Sequence, residues 1–156
     1  MIQSFKISKR WQEYIFAGLV LGVFISLFFN RVLFRGEVFV TGGVIKSDLM
    51  CVHYPVKEAY SRSLSQGKVP LWLSGLSTGV PLMALGIGGL YYPLNLLIFS
   101  IFGQPLAFNL GLVIHFWLAA FFTFLLVRTI FKATLWSSLL AGLCFGLSGY
   151  MIAHHA

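Results

Sequence analysis

Acid–base chemistry in this 156-residue chain would have to come from four carboxylates, Glu13, Glu37, Asp48 and Glu58. Asp48 is the only aspartate. It opens a polar interval, after Val44-Ile45-Lys46-Ser47, that follows the first long apolar run. A carboxylate held there beside apolar helices could take a proton from an acceptor hydroxyl or bind a divalent cation. It could equally start a helix, stabilised by backbone N–H groups and the helix dipole. Lys57, Arg62 and Lys68 follow it. Their charge suits the phosphate of a lipid-linked substrate at an interface, or else they snorkel from a solvated face. His154 and His155 are adjacent, so they cannot both point the same way from a helix. One of them could join Asp48 as a metal ligand or proton carrier; the other reading is a pair of interfacial polar residues. His115 and Asn109 fall inside an apolar run, where a structural bond to a neighbouring helix is expected. The chain carries no phosphate-binding loop of the G-x-x-x-x-G-K-[ST] type, no G-x-S-x-G elbow and no zinc-ligand spacing. Nucleotide hydrolysis, serine hydrolysis and zinc-peptidase chemistry are therefore not first choices.

The elements that must position these residues are membrane elements. The chain is 58% hydrophobic and only 10% charged, with a mean hydropathy of +0.88. A soluble domain carries about a quarter charged residues, and a chain this short cannot hide so much apolar surface in one core. The net charge of +7 is scattered, without the basic stripe of a nucleic-acid binder. The anionic membrane surface suits it better. The two cysteines, Cys51 and Cys144, fall at different depths, which argues against a disulfide between them.

Residues 1–13 read as a basic cytoplasmic N-terminus. The run from Tyr14 to Phe34 is long enough to span, at roughly 31 Å of helix. No small-x-small cleavage site follows it, so it reads as an uncleaved anchor. Residues 35–104 form a long loop. Within it, residues 54–66 look like an amphipathic helix: Val56, Tyr60 and Leu64 share a face, Glu58 and Arg62 are an i,i+4 pair, Pro55 suits the first turn and Gly67 the stop. The glycines and prolines from Pro70 to Gly89 predict irregular backbone. Residues 90–102 are apolar but too short to cross, and suit an interfacial or re-entrant helix. Residues 106–127 and 135–153 each predict a span, joined by a loop over 128–134, with Gly142, Gly146 and Gly149 as small-residue helix contacts. With three crossings, Arg128 and Lys132 face the cytoplasm, as the positive-inside bias prefers. The long loop and the His154-His155 end then lie outside. Ending directly after a span, the sequence reads as the leading part of a longer chain.

Several spaced strings share an order with a known family. Asp48-Leu-Met-Cys-Val-His53-Tyr-Pro55, Leu64-Ser-Gln-Gly-Lys-Val-Pro-Leu-Trp72, Gly79-Val-Pro81, Tyr91-Tyr-Pro-Leu-Asn-Leu96 and Phe145-Gly-Leu-Ser-Gly-Tyr150, followed by His154, resemble the bacterial YfhO-like membrane proteins. These belong to the GT-C class of multi-spanning glycosyltransferases. The resemblance covers the chain from about Lys46 onward. It implies an all-α integral membrane protein, the N-terminal portion of a polytopic GT-C-like helical bundle in the bacterial cytoplasmic membrane. It implies transfer of a sugar from a polyprenyl-phosphate carrier to an acceptor on the outer face, with Asp48 as the catalytic carboxylate. His53, His154 and His155 are secondary candidates, and a divalent cation is an admissible but not a required cofactor. The sequence departs from the family pattern at Val52, Leu73 and Leu85-Gly-Ile87, which are apolar where relatives carry polar residues. A competing expectation keeps the fold and removes the transfer step: a flippase subunit or a scaffold for surface-polymer assembly.

Overall fold

The computed structural model of the chain describes residues 2–39, 49–75, 78–82, 84, 86 and 89–154. Asp48, Lys46, Leu85, Ile87 and His155 lie outside them, as does the side chain of His154. The chain is mostly helical, and among the described residues three helices are long and apolar enough to cross a membrane. It divides into two compact units, residues 1–30 with 113–154 and residues 31–112 with 155–156.

The first unit is built on long apolar helices. Helix α1 runs from Ile2 to Phe28, with its candidate span over Arg10–Phe28. The helix therefore starts well before the apolar run that marks it in the sequence. Its ladder loosens at Phe29, where the Asn30 side chain donates back to the Leu27 carbonyl at 2.6 Å. Ala17, Leu21 and Ile25 are fully buried and Phe29 nearly so, a stripe repeating every four residues. Helix α5 (Leu106–Thr129) answers with Phe116, Ala120 and Phe124, all fully buried. Four-residue spacing keeps each stripe on one helix face, so two such stripes can close on each other. The rings of Phe29 and Phe116 meet edge to face at 4.8 Å. At the other end of the pair, Tyr14 meets Phe124 at 6.3 Å and Glu13 meets Arg128. The two helices are therefore antiparallel. Between these ends the Trp117 indole N–H donates to the Gly18 carbonyl at 2.9 Å.

Helix α6 (Leu135–Gly146) starts at the N-cap Thr134, whose hydroxyl accepts from the Ser137 N–H. It approaches α5 on glycines. A methyl group built at Gly142 would lie 2.6 Å from the Ala120 carbonyl oxygen, and one at Gly146 would lie 2.7 Å from the Ala120 Cβ. Gly149 differs from the sequence expectation, because a methyl group there would meet nothing within 4 Å. It is not a helix contact. The third span also departs from expectation in being interrupted. Helix α6 stops at Gly146, and α7 (Gly149–His154) restarts behind Ser148, whose hydroxyl accepts from the Met151 N–H at 3.4 Å.

The second unit opens with α2 (Asn30–Phe34, Asn30 itself closing the first unit). A π-helical turn over Leu49–His53 then runs into α3 (Tyr54–Ser65). Pro55 sits in the first turn of α3, and Gly67, at φ +68°, takes the left-handed position just beyond its end. Helix α4 (Pro93–Ile101) follows. At nine residues it is about 14 Å long, too short to cross. The expectation of a purely helical chain needs one correction. Strands β1 (Trp72–Leu73) and β2 (Val80–Pro81) pair antiparallel, and the Leu82 N–H extends the ladder to the Leu71 carbonyl at 2.9 Å. Gly79, at φ +99°, permits this hairpin, because a side chain there would collide with the Trp72 indole at 2.6 Å.

Candidate functional site

The candidate site is the face of α3 in the second unit. Val56 and Tyr60 on that face are buried, as their spacing predicts, and Ser61 joins them. Tyr60 anchors the helix. Its ring is fully buried, meeting Phe99 edge to face at 5.8 Å and Tyr91 at 6.3 Å. Its hydroxyl donates to the carbonyl of Leu90. Burial, with the neighbouring Tyr91 hydroxyl second, pushes the Tyr60 phenol up to about 12.

The spaced strings of the long loop converge around this anchor. The Tyr91 hydroxyl donates to the Pro70 carbonyl at 2.7 Å, which ties the Val-Pro-Leu-Trp72 string to the Tyr-Tyr-Pro string. Asn95 is buried in α4 and donates from its amide to the Gly89 carbonyl at 2.8 Å. The Pro70 carbonyl lies in irregular backbone, where no helix or sheet ladder serves it, and the Gly89 carbonyl accepts from Asn95 in addition to the Tyr92 N–H. Asn109, in the first turns of α5, serves similarly. Its amide donates to the carbonyls of Val32 at 2.9 Å and Glu37 at 3.2 Å. The polar group inside the apolar run is thus a structural clamp.

The three cations expected to meet a phosphate do not share a face. Arg62 is exposed and spends its charge on Glu58, at 2.6 Å, across one turn of α3. Lys68 is exposed beyond the helix end. Lys57 is different. It lies three residues before Tyr60 and four before Ser61, hence at the edge of the packed face. Its ammonium stands 4.9 Å from the centre of the Phe108 ring and 5.9 Å from that of Phe99. Tyr54 packs on Phe108 at 5.6 Å and closes the same aromatic bed. Among the described residues, no carboxylate lies within ion-pair distance of Lys57. Burial holds its amine below the usual lysine range. The Tyr54 phenol is raised, by burial first and then by the charge of Glu58.

Phe99 and Phe108 are the neighbours of the candidate cation that sequence reasoning missed. Both read as apolar filler in runs remote from Lys57, and only the packing of α4 and the start of α5 on α3 brings them under it. The signal that was available is the position of Lys57 itself, a cation on the buried side of an amphipathic helix. His53, half-buried, closes the π-helical turn in right-handed helical geometry and makes no capping bond from its side chain. Val52, also half-buried, lies in the same turn, and Leu73 pairs with Val80 in the hairpin. Among the described residues, no group of three or more His, Cys, Asp or Glu side chains is placed to hold a metal ion.

An ammonium on aromatic faces is held by attraction to the ring quadrupole, worth ~0.5–2 kcal/mol depending on desolvation. It can still attract an anion from the open side. A phosphate is the natural candidate, because it is anionic and its oxygens accept charge-assisted hydrogen bonds. Comparison with protein-family models, curated proteins and solved structures returned no match.

Proposed function

We propose that the chain belongs to a membrane glycosyltransferase that takes a sugar from a polyprenyl-phosphate carrier, with Lys57 receiving the carrier phosphate. The observation that carries this reading is the Lys57 ammonium, held over Phe99 and Phe108 with no carboxylate partner among the described residues. Phe108 belongs to the opening turn of α5, one of the candidate spans. A cation resting on it stands near the end of a membrane-crossing segment, where lipid phosphates lie. In the bacterial cytoplasmic membrane, positive-inside orientation would turn this end outward.

The π-helical turn begins one residue after Asp48. The proposed chemistry uses that carboxylate as a general base. It takes the proton from an acceptor hydroxyl, and the acceptor oxygen attacks the anomeric carbon. The bond from that carbon to the phosphate oxygen breaks, and polyprenyl phosphate leaves with the electron pair, inverting the anomeric centre. Lys57 stabilises the growing charge on the leaving phosphate. Membranes carrying the protein, supplied with polyprenyl-phosphate sugar, test the reading. Asp48→Asn should lower transfer by at least about a hundredfold at unchanged expression, and Lys57→Met should weaken donor binding about tenfold. Full transfer by both variants would sink the roles given to Asp48 and Lys57, and transfer no higher with the protein than without it would sink the enzymatic reading and leave a flippase subunit or an assembly scaffold.

A further inference from the structure

The first unit contains a second charged place, remote in sequence from the α3 face. A cavity of about 310 Å³ is lined by Arg10, Glu13, Tyr14, Arg128, Thr129 and Lys132. All six lie where α1 enters its span and α5 leaves its own. Arg128 is committed within the fold. Its guanidinium donates to Glu13 Oε2 from Nε at 3.2 Å and from Nη2 at 2.6 Å, and to the Ala133 carbonyl from Nη1 at 2.7 Å. The single carboxylate is thereby spent on one cation. Arg10 and Lys132 have no carboxylate partner among the described residues, so two positive charges stand in excess around the cavity.

The backbone helps hold one of them there. Lys132 adopts φ +53°, a left-handed conformation that a glycine holds at less cost. The Arg128 bond to the Ala133 carbonyl braces this turn. The surroundings are apolar and open. Trp11, Ile130, Phe131 and Trp136 flank these positions, and each is more than 60% exposed. Exposed indoles and apolar side chains next in sequence to the residues of a basic hollow at the end of a span match the headgroup layer, not bulk water.

We infer that this cavity is a binding site for the phosphate of an anionic membrane lipid, its headgroup held by Arg10 and Lys132 and its chains lying along the apolar rim. The size suits a glycerophosphate headgroup. The exposed rim favours a lipid over free phosphate, which would leave those side chains without a role. The inference does not depend on the catalytic reading of Asp48 and Lys57.

Native mass spectrometry and thermal unfolding of the full chain in detergent provide the test, with phosphatidylglycerol, phosphatidylcholine and inorganic phosphate as separate probes. Phosphatidylglycerol should be retained and should raise the unfolding midpoint, and phosphatidylcholine should do neither. Arg10→Gln and Lys132→Gly should each raise the half-saturating phosphatidylglycerol concentration about fivefold. Lys132→Gly keeps the left-handed turn, so its lipid-free midpoint should not fall. Retention of full phosphatidylglycerol preference by both variants would overturn the site. Equal stabilisation by inorganic phosphate at matched concentration would overturn its assignment to a lipid.

Discussion

At the scale of single residues, burial shifts Tyr60 up and Lys57 down, in each case disfavouring the charged form. The folded Tyr60 phenol keeps its proton to about 12, whereas an unfolded tyrosine loses it near 10. Its contribution to stability is thus fully present below about pH 10 and is lost as pH rises toward 12. Tyr60→Phe should flatten that alkaline loss. At neutral pH it should also cost about 1–3 kcal/mol in unfolding measurements, because the Leu90 carbonyl loses its donor. Lys57 is shifted down by burial. It releases its proton at lower pH than an unfolded lysine, so an anionic ligand should bind more weakly as pH rises through that lowered value. Lys57→Arg stays charged throughout, and the donor KM should then be flat over the same alkaline range. Much of this residue-level picture was legible. The Glu58–Arg62 pair follows from i,i+4 spacing, and the burial of Val56 and Tyr60 from their recurrence. The aromatic bed was not legible, because Phe99 and Phe108 reach Lys57 through tertiary packing that no local spacing encodes.

Among the elements, glycine placement decides how α6 meets α5. Ala120 occupies the space a side chain at position 142 or 146 would need, through a rigid carbonyl and a methyl carbon. Gly142→Ala and Gly146→Ala should each destabilise by about 1–3 kcal/mol, seen as a lower thermal midpoint. Gly149→Ala should leave the midpoint unchanged or slightly higher, since it opens α7 in empty space and alanine favours the helix. All three glycines look alike as a string, so the difference is a matter of which side of the helix faces a neighbour. The amphipathic helix and the short apolar helix were readable from period and length. The hairpin was not, because two-residue strands leave no alternation to detect and the Trp72–Gly79 contact that fixes them spans a turn. The break after Gly146 was hidden for a different reason. Hydropathy runs unbroken through Leu147 and Ser148 while the hydrogen-bond ladder does not.

For the whole molecule, composition and helix length point to a membrane protein, with three candidate crossings among the described residues, and charge supplies the proposed orientation. The proposed arrangement puts Cys51 outside and the end of α5 inside. In a Cys144→Ala background, Cys51 should react with an impermeant maleimide applied to intact cells. An Ile130→Cys residue, in a background lacking both native cysteines, should react only after permeabilisation. The reverse pattern would invert the topology and put the proposed transfer chemistry on the wrong face. Asn109 finally sets an order of events during synthesis. The carbonyls of Val32 and Glu37 wait for an amide that lies 77 and 72 residues further along the chain. At translation rates of ~5–20 residues per second, that partner emerges roughly four to fifteen seconds later. The nascent chain leaves its first crossing untethered, and the ribosome must deliver the start of α5 before the segment beyond that crossing can lock.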